Sequence, residues 1–192
     1  MIKGLIKVNK EDMAKTPEST SFYEQLFKKV LFTTSVVVVL SLSYVLWVNE
    51  NPDSLFLPVL VVGLAFVKTI FIVRLTFLQL SKIIGESHQL THVLTLFAVL
   101  IVLIILSFSA DYLALYVLNS ENFKSATSIN GSFLLEFFEF TYFSLITFSS
   151  VGFGDIVPLT ISGKLLVIME VFLSFFVLVF GIANINRIHV DK

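Results

Sequence analysis

The sequence predicts an all-α membrane protein with four transmembrane helices and one further helix that enters the bilayer without crossing it. Three observations carry this reading. Hydrophobic residues make up 56% of the chain against 14% charged, with mean hydropathy +0.93, far from a soluble domain. Four apolar runs approach or exceed the roughly 20 residues needed to cross a bilayer. A fifth run, residues 133–147, is too short to cross and leads into a loop with glycines at alternate positions. Irregular backbone at membrane depth is tolerated only where it is buried in protein or lines water, so such a loop marks a site.

Residues 1–29 mix Lys3, Lys7, Lys10, Lys15, Lys28 and Lys29 with Glu11, Asp12, Glu18 and Glu24. They are too long and too acidic for the start of a secretory signal and are expected to form a cytoplasmic tail. Pro17 suits a first helical turn. Phe22, Leu26 and Phe27 then suit the apolar side of an interfacial helix, although the segment 22–31 could equally extend the first span.

Residues 30–80 are expected to form a two-helix transmembrane hairpin. The run 30–48 ends in Tyr44 and Trp47, as residues of an aromatic belt do. The loop 49–54 is acidic, without Lys or Arg, and reads as extracytoplasmic. The run 55–80 returns, with Pro58 tolerated in its first turn. Its Lys68 and Arg74 are candidates for function, because charge inside a membrane is costly. Two basic residues are a thin voltage-sensor pattern, and snorkelling or internal pairing explains them at least as well. In the connector 81–91 and just beyond, His88 and His92 share one helical face, but without cysteines or paired carboxylates they make a poor metal site.

The third run, 93–118, carries Asp111, Tyr112 and Tyr116 toward its outer end. Asp111 lies about two turns before that end, so it must reach headgroups or a protein partner. A polar loop, 119–130, follows, and Asn130-Gly131-Ser132 fits a glycosylation acceptor that matters only in a eukaryotic secretory pathway. The short helix 133–147 has Glu136 and Glu139 near its positive end, where acids are favourable. Its negative end would point at the membrane centre. The fourth span, 164–186, holds Glu170 in its outer third, where a carboxyl without a partner would be expensive.

The run Tyr142-Phe143-Ser144-Leu145-Ile146-Thr147, then Ser150-Val151-Gly152-Phe153-Gly154, Asp155 and Ile156-Val157-Pro158, resembles the pore loop of tetrameric potassium channels. The likeness is to the bacterial-type pore domain of outer helix, pore loop and inner helix, here with two additional N-terminal helices. It implies a pore domain over 93–186, with outer helix 93–118, pore helix 133–147, selectivity filter 150–154 and inner helix 164–186. A stripped potassium ion needs a ring of oxygens in place of its hydration shell, and backbone carbonyls supply them. Successive carbonyls face one axis when the backbone alternates in handedness, and Gly152 and Gly154 accept φ > 0 without steric penalty.

The resemblance further implies potassium coordination by Ser150, Val151, Gly152, Phe153 and Gly154, with Asp155 at the outer mouth. Val151 and Phe153 would point away from the axis and wedge against the supporting helix. Tyr142, Phe143, Thr147 and Glu170 would support the filter. Ser174 stands where such channels often have a hinge glycine, so Gly181, on nearly the same face, is the alternative gate or a helix crossing. Ser150 replaces the usual threonine, and Phe153 replaces the commoner tyrosine, removing a hydroxyl that could brace the filter.

A potassium-selective channel is therefore the expected function, working as a homotetramer with potassium ions and membrane lipids as its other partners. The alternatives are a weakly selective cation channel or a non-conducting regulatory membrane subunit. A transporter subunit of the related superfamily would carry four degenerate loops, and this chain carries one. No nucleophile and base come together in sequence as an enzyme would require. No basic block meets nucleic-acid phosphates at a net charge of -1. Lysine and arginine collect on one side, with Lys124 and Lys164 on the other, which places both termini in the cytoplasm and the protein in the cell membrane as a multi-pass protein.

Overall fold

A computed structural model describes Val39 and residues 57–75, 90–126 and 131–185. The tail 1–29, the first span apart from Val39, most of the connector with His88, and Arg187 to Lys192 lie outside the described residues. Helix α1 is Leu57–Leu75, α2 is Leu90–Leu118, α3 is Phe133–Phe148 and α4 is Ile161–Ile185. Three of them, over Leu57–Arg74, Phe97–Leu118 and Ile161–Ala183, are long and apolar enough to cross a membrane. Helix α3 has 16 residues. Its rise of about 24 Å falls short of the ~30 Å hydrocarbon core.

Helix α2 begins before the expected residue 93, and α4 begins at Ile161 rather than 164. The early start of α4 has a visible cause. The Thr160 hydroxyl accepts from Gly163 N at 3.4 Å, and the Thr160 carbonyl takes Lys164 N at 3.1 Å, so Thr160 caps the helix and Gly163 falls inside the first turn.

Two strands were not anticipated from the sequence. β1, Phe123–Ser125, pairs antiparallel with β2, Ile156–Pro158, in the register Phe123↔Pro158, Lys124↔Val157 and Ser125↔Ile156. Three residues are too few to display alternation, so the segments read as loop. The clip joins the chain before α3 to the chain just after the glycine loop. Asn122 secures it: its amide donates to Leu115 O at 2.6 Å, its side-chain oxygen accepts from the Thr160 hydroxyl at 2.7 Å, and its carbonyl accepts from Leu159 N at 2.9 Å.

The core draws residues from all four helices, and where α2 meets α3 it holds a cluster of aromatic rings. Phe123 leaves β1 to insert its ring edge-on against Tyr112, Phe140 and Phe143, at centroid separations of 5.9, 5.2 and 5.9 Å. Tyr112 also meets Phe143 at 4.9 Å. Such edge-to-face contacts add roughly 0.5–1.5 kcal/mol each beyond area burial. They fix α3 against α2, with α1 packed on α2 and α4.

Candidate functional site

The glycine loop hangs from the C-terminal carbonyls of α3. Ser150 N donates to Thr147 O at 2.9 Å, and Val151 N and Gly152 N both donate to Ile146 O, at 3.0 and 3.4 Å. The free carbonyls of a helix end thus become the attachment of the loop. Beyond that point φ is +57° at Ser150, +58° at Gly152 and +79° at Gly154. Every second residue is therefore left-handed. A Cβ added at Gly152 or Gly154 would meet open space, so what demands glycine there is conformation, not room. Ser150 adopts the same region with a side chain, at a cost of roughly 1–2 kcal/mol.

Past the loop, Asp155 is fixed by its backbone. Its carbonyl accepts from Ala126 N at 2.8 Å, and its own carboxylate accepts from Ile156 N at 3.1 Å. The Tyr142 phenol lies beside it. Hydrogen bonding to Asp155 raises the phenol above its ordinary value, followed by partial burial and the charges of Asp155 and Glu139. Phe143 and Thr147 are buried on the protein side of α3.

Val151 and Phe153 correct one expectation. Their side chains are 54% and 69% exposed and do not wedge against this chain's own supporting helix. The loop emerges beyond the end of α3, where the chain has no further layer to cover them. Leu145 of α3 is exposed as well.

Glu170 is fully buried and accepts two hydrogen bonds from other helices: the Tyr112 hydroxyl at 2.6 Å and the Ser144 hydroxyl at 2.5 Å. The Ser144 proton is shared with Ile105 O at 3.0 Å. Ser144 lies two residues before Ile146, whose carbonyl carries the loop. The sequence points to Glu170 but not to Tyr112 and Ser144 as its partners; the need of a buried acid for donors is the signal that could have led to them.

Lys68 and Arg74 part company. Arg74 is exposed, whereas Lys68 is buried, ion-paired with Asp111, donating to Ser107 O at 3.1 Å, and seated 5.0 Å from the Phe108 ring centroid. Ser174 is buried and donates to Val171 O at 3.0 Å, within its own helix. A Cβ at Gly181 would lie 3.0 Å from the Phe97 ring, so α4 and α2 approach closely there. No group of three or more metal-ligating side chains occurs among the described residues.

Membrane-length helices around a re-entrant helix, with a left-handed alternating loop at its inner end, define a pore-forming membrane protein. Residues 98–190 match the family described as Ion channel, and this match supports a potassium-channel-type pore domain over that part of the chain. No curated protein and no solved structure matches the chain.

Proposed function

We propose that the protein conducts potassium selectively and passively across the cell membrane through a homotetrameric pore. The observation that carries this reading is the alternation of left-handed φ at Ser150, Gly152 and Gly154. Such alternation turns successive carbonyls toward one axis, the arrangement a dehydrated potassium ion needs. The carbonyls of Ser150, Val151, Gly152 and Phe153 and the Ser150 hydroxyl are the ligands, Gly154 completes the turn of the filter, and Asp155 marks the outer mouth.

One chain supplies one filter strand, and a closed ring of carbonyls calls for four. The exposed apolar side chains support this assembly. Leu145, Val151 and Phe153 stand uncovered, and so does a stripe on α4 through Phe172, Phe175, Val179 and Ile182. Further copies of the chain would cover part of this surface and lipid the rest. The lysine asymmetry supports cytoplasmic termini and an outward-facing Asp155.

Purified protein in liposomes should carry a potassium flux blocked by barium. Gly152→Ala should abolish the flux, because the backbone conformation is penalised although the added methyl meets no neighbour within the chain. Equal sodium and potassium flux would instead favour a weakly selective cation channel, the reading that Ser150 and Phe153 suggest. A particle of one or two chains in detergent, with no flux, would point to a regulatory subunit.

A further inference from the structure

The buried charges lie in an unbroken relay from α1 to the filter. Lys68 of α1 grips the turns of α2 that run from Ile105 to Tyr112, by its bond to Ser107 O, its ion pair with Asp111 and its seat against Phe108. An adjacent side of the same turns holds the filter's support. Ile105 O accepts from Ser144, and Tyr112 donates to Glu170, which also accepts from Ser144. Ser144 belongs to the last turns of α3, whose Ile146 and Thr147 carbonyls carry the loop. Asp111 and Tyr112 are consecutive, so on a helix they project about 100° apart, one toward α1 and the other toward α4.

Helix α1 needs no charge to dock. Apolar packing would hold it in lipid at lower cost than a lysine and an aspartate taken out of water. What an ion pair adds is one definite register between the helices, because any slip separates the charges in a medium that penalises separation strongly. Here that register is imposed on the segment of α2 that braces the filter.

We propose that Lys68 is a positioning residue for the filter, acting through Asp111 and the Ile105–Tyr112 turns on Ser144 and Glu170. The inference rests on the filter reading above. Helix α1 thereby sets how firmly the end of α3 holds the filter, and a movement of α1 changes ion selectivity without any contact to the ion.

The test uses the full chain in liposomes, with assembly size checked in detergent and the potassium-to-sodium flux ratio as the readout. Lys68→Met with Asp111→Asn removes both charges and leaves no unpaired one. The ratio should fall by about threefold or more, the range expected of coupling through packed elements. Lys68→Arg, which keeps the pair, should stay within about twofold of the wild type. In a Ser144→Ala background, which removes both bonds from α3 to the relay, the neutral pair should have a much smaller effect. An assembled neutral pair with an unchanged ratio, or effects that simply add, would overturn the proposal. If the neutral pair fails to assemble, Lys68→Gln is read by the same criteria. Equal sodium and potassium flux in the wild type would sink the selective-filter reading alone, and the coupling would then be read in total cation flux from the same variants.

Discussion

The Tyr112 hydroxyl donates to Glu170 at 2.6 Å across the contact between α2 and α4, and the other carboxyl oxygen takes Ser144 of α3 at 2.5 Å. One acid therefore joins the three helices that frame the glycine loop. Glu170→Leu would strand the buried Tyr112 hydroxyl, at roughly 1–3 kcal/mol, and leave Ser144 only its bond to Ile105 O. It should lower stability by about 2 kcal/mol or more in thermal unfolding of the purified protein. Glu170→Gln keeps an acceptor for Tyr112 and a donor for Ser144 and should cost less. A glutamine variant less stable than the leucine variant would contradict this arrangement.

Ser150 offers a separation of stability from selectivity. Its φ of +57° is unfavourable for a residue with a side chain. Ser150→Gly should relieve it, for a net gain of about 0.5–1 kcal/mol after the added freedom of glycine in the unfolded chain. The same change removes the hydroxyl proposed as an ion ligand, so potassium flux should become less selective as the melting temperature rises. A loss of both would place the role of Ser150 in folding rather than in ion contact.

Gly181 decides between hinge and crossing. With a Cβ only 3.0 Å from the Phe97 ring, Gly181→Leu should overpack the α2–α4 contact and cost roughly 1–3 kcal/mol. Phe97→Ala should recover part of that loss if close approach is what the glycine provides. A bend that needs glycine would gain nothing from the second substitution, and a double-mutant cycle on unfolding separates the two.

Tyr142 makes a prediction about pH. Its phenol is raised above the ordinary 10.0, which favours the neutral form able to donate to Asp155. The contact and its stabilisation are fully present below that ordinary value and disappear as pH rises through the raised one. The flux ratio should therefore hold steady up to 10.0, and Tyr142→Phe should remove any change seen at higher pH. A wild-type transition well below 10.0 would assign the titration to another group.

Much of the architecture was legible because a bilayer leaves few options. Spans must be long and apolar, a half-length helix stands out, and paired glycines mark a backbone that few other residues adopt. The pairing of Lys68 with Asp111, 43 residues apart, was not legible, although each residue was conspicuous alone. Helices in lipid are apolar on every side, so the sequence shows no face that must turn inward, and the partner of a charge cannot be read from periodicity. Ser144 stayed hidden for a related reason: a serine in an apolar helix is common, and its role depends on a carboxyl from another helix. The β1–β2 clip was too short to leave any pattern.

That clip acquires a mechanical meaning beside the bonds at the foot of the glycine loop. Ile146 and Thr147 fasten the lower end, while Ala126 and the pairing of Ser125 with Ile156 fasten the upper. A strand tethered at both ends can neither unspool nor lengthen. The motion left to it is a crankshaft rotation of single peptide planes between fixed anchors, and that rotation turns one carbonyl oxygen while every neighbour stays in place.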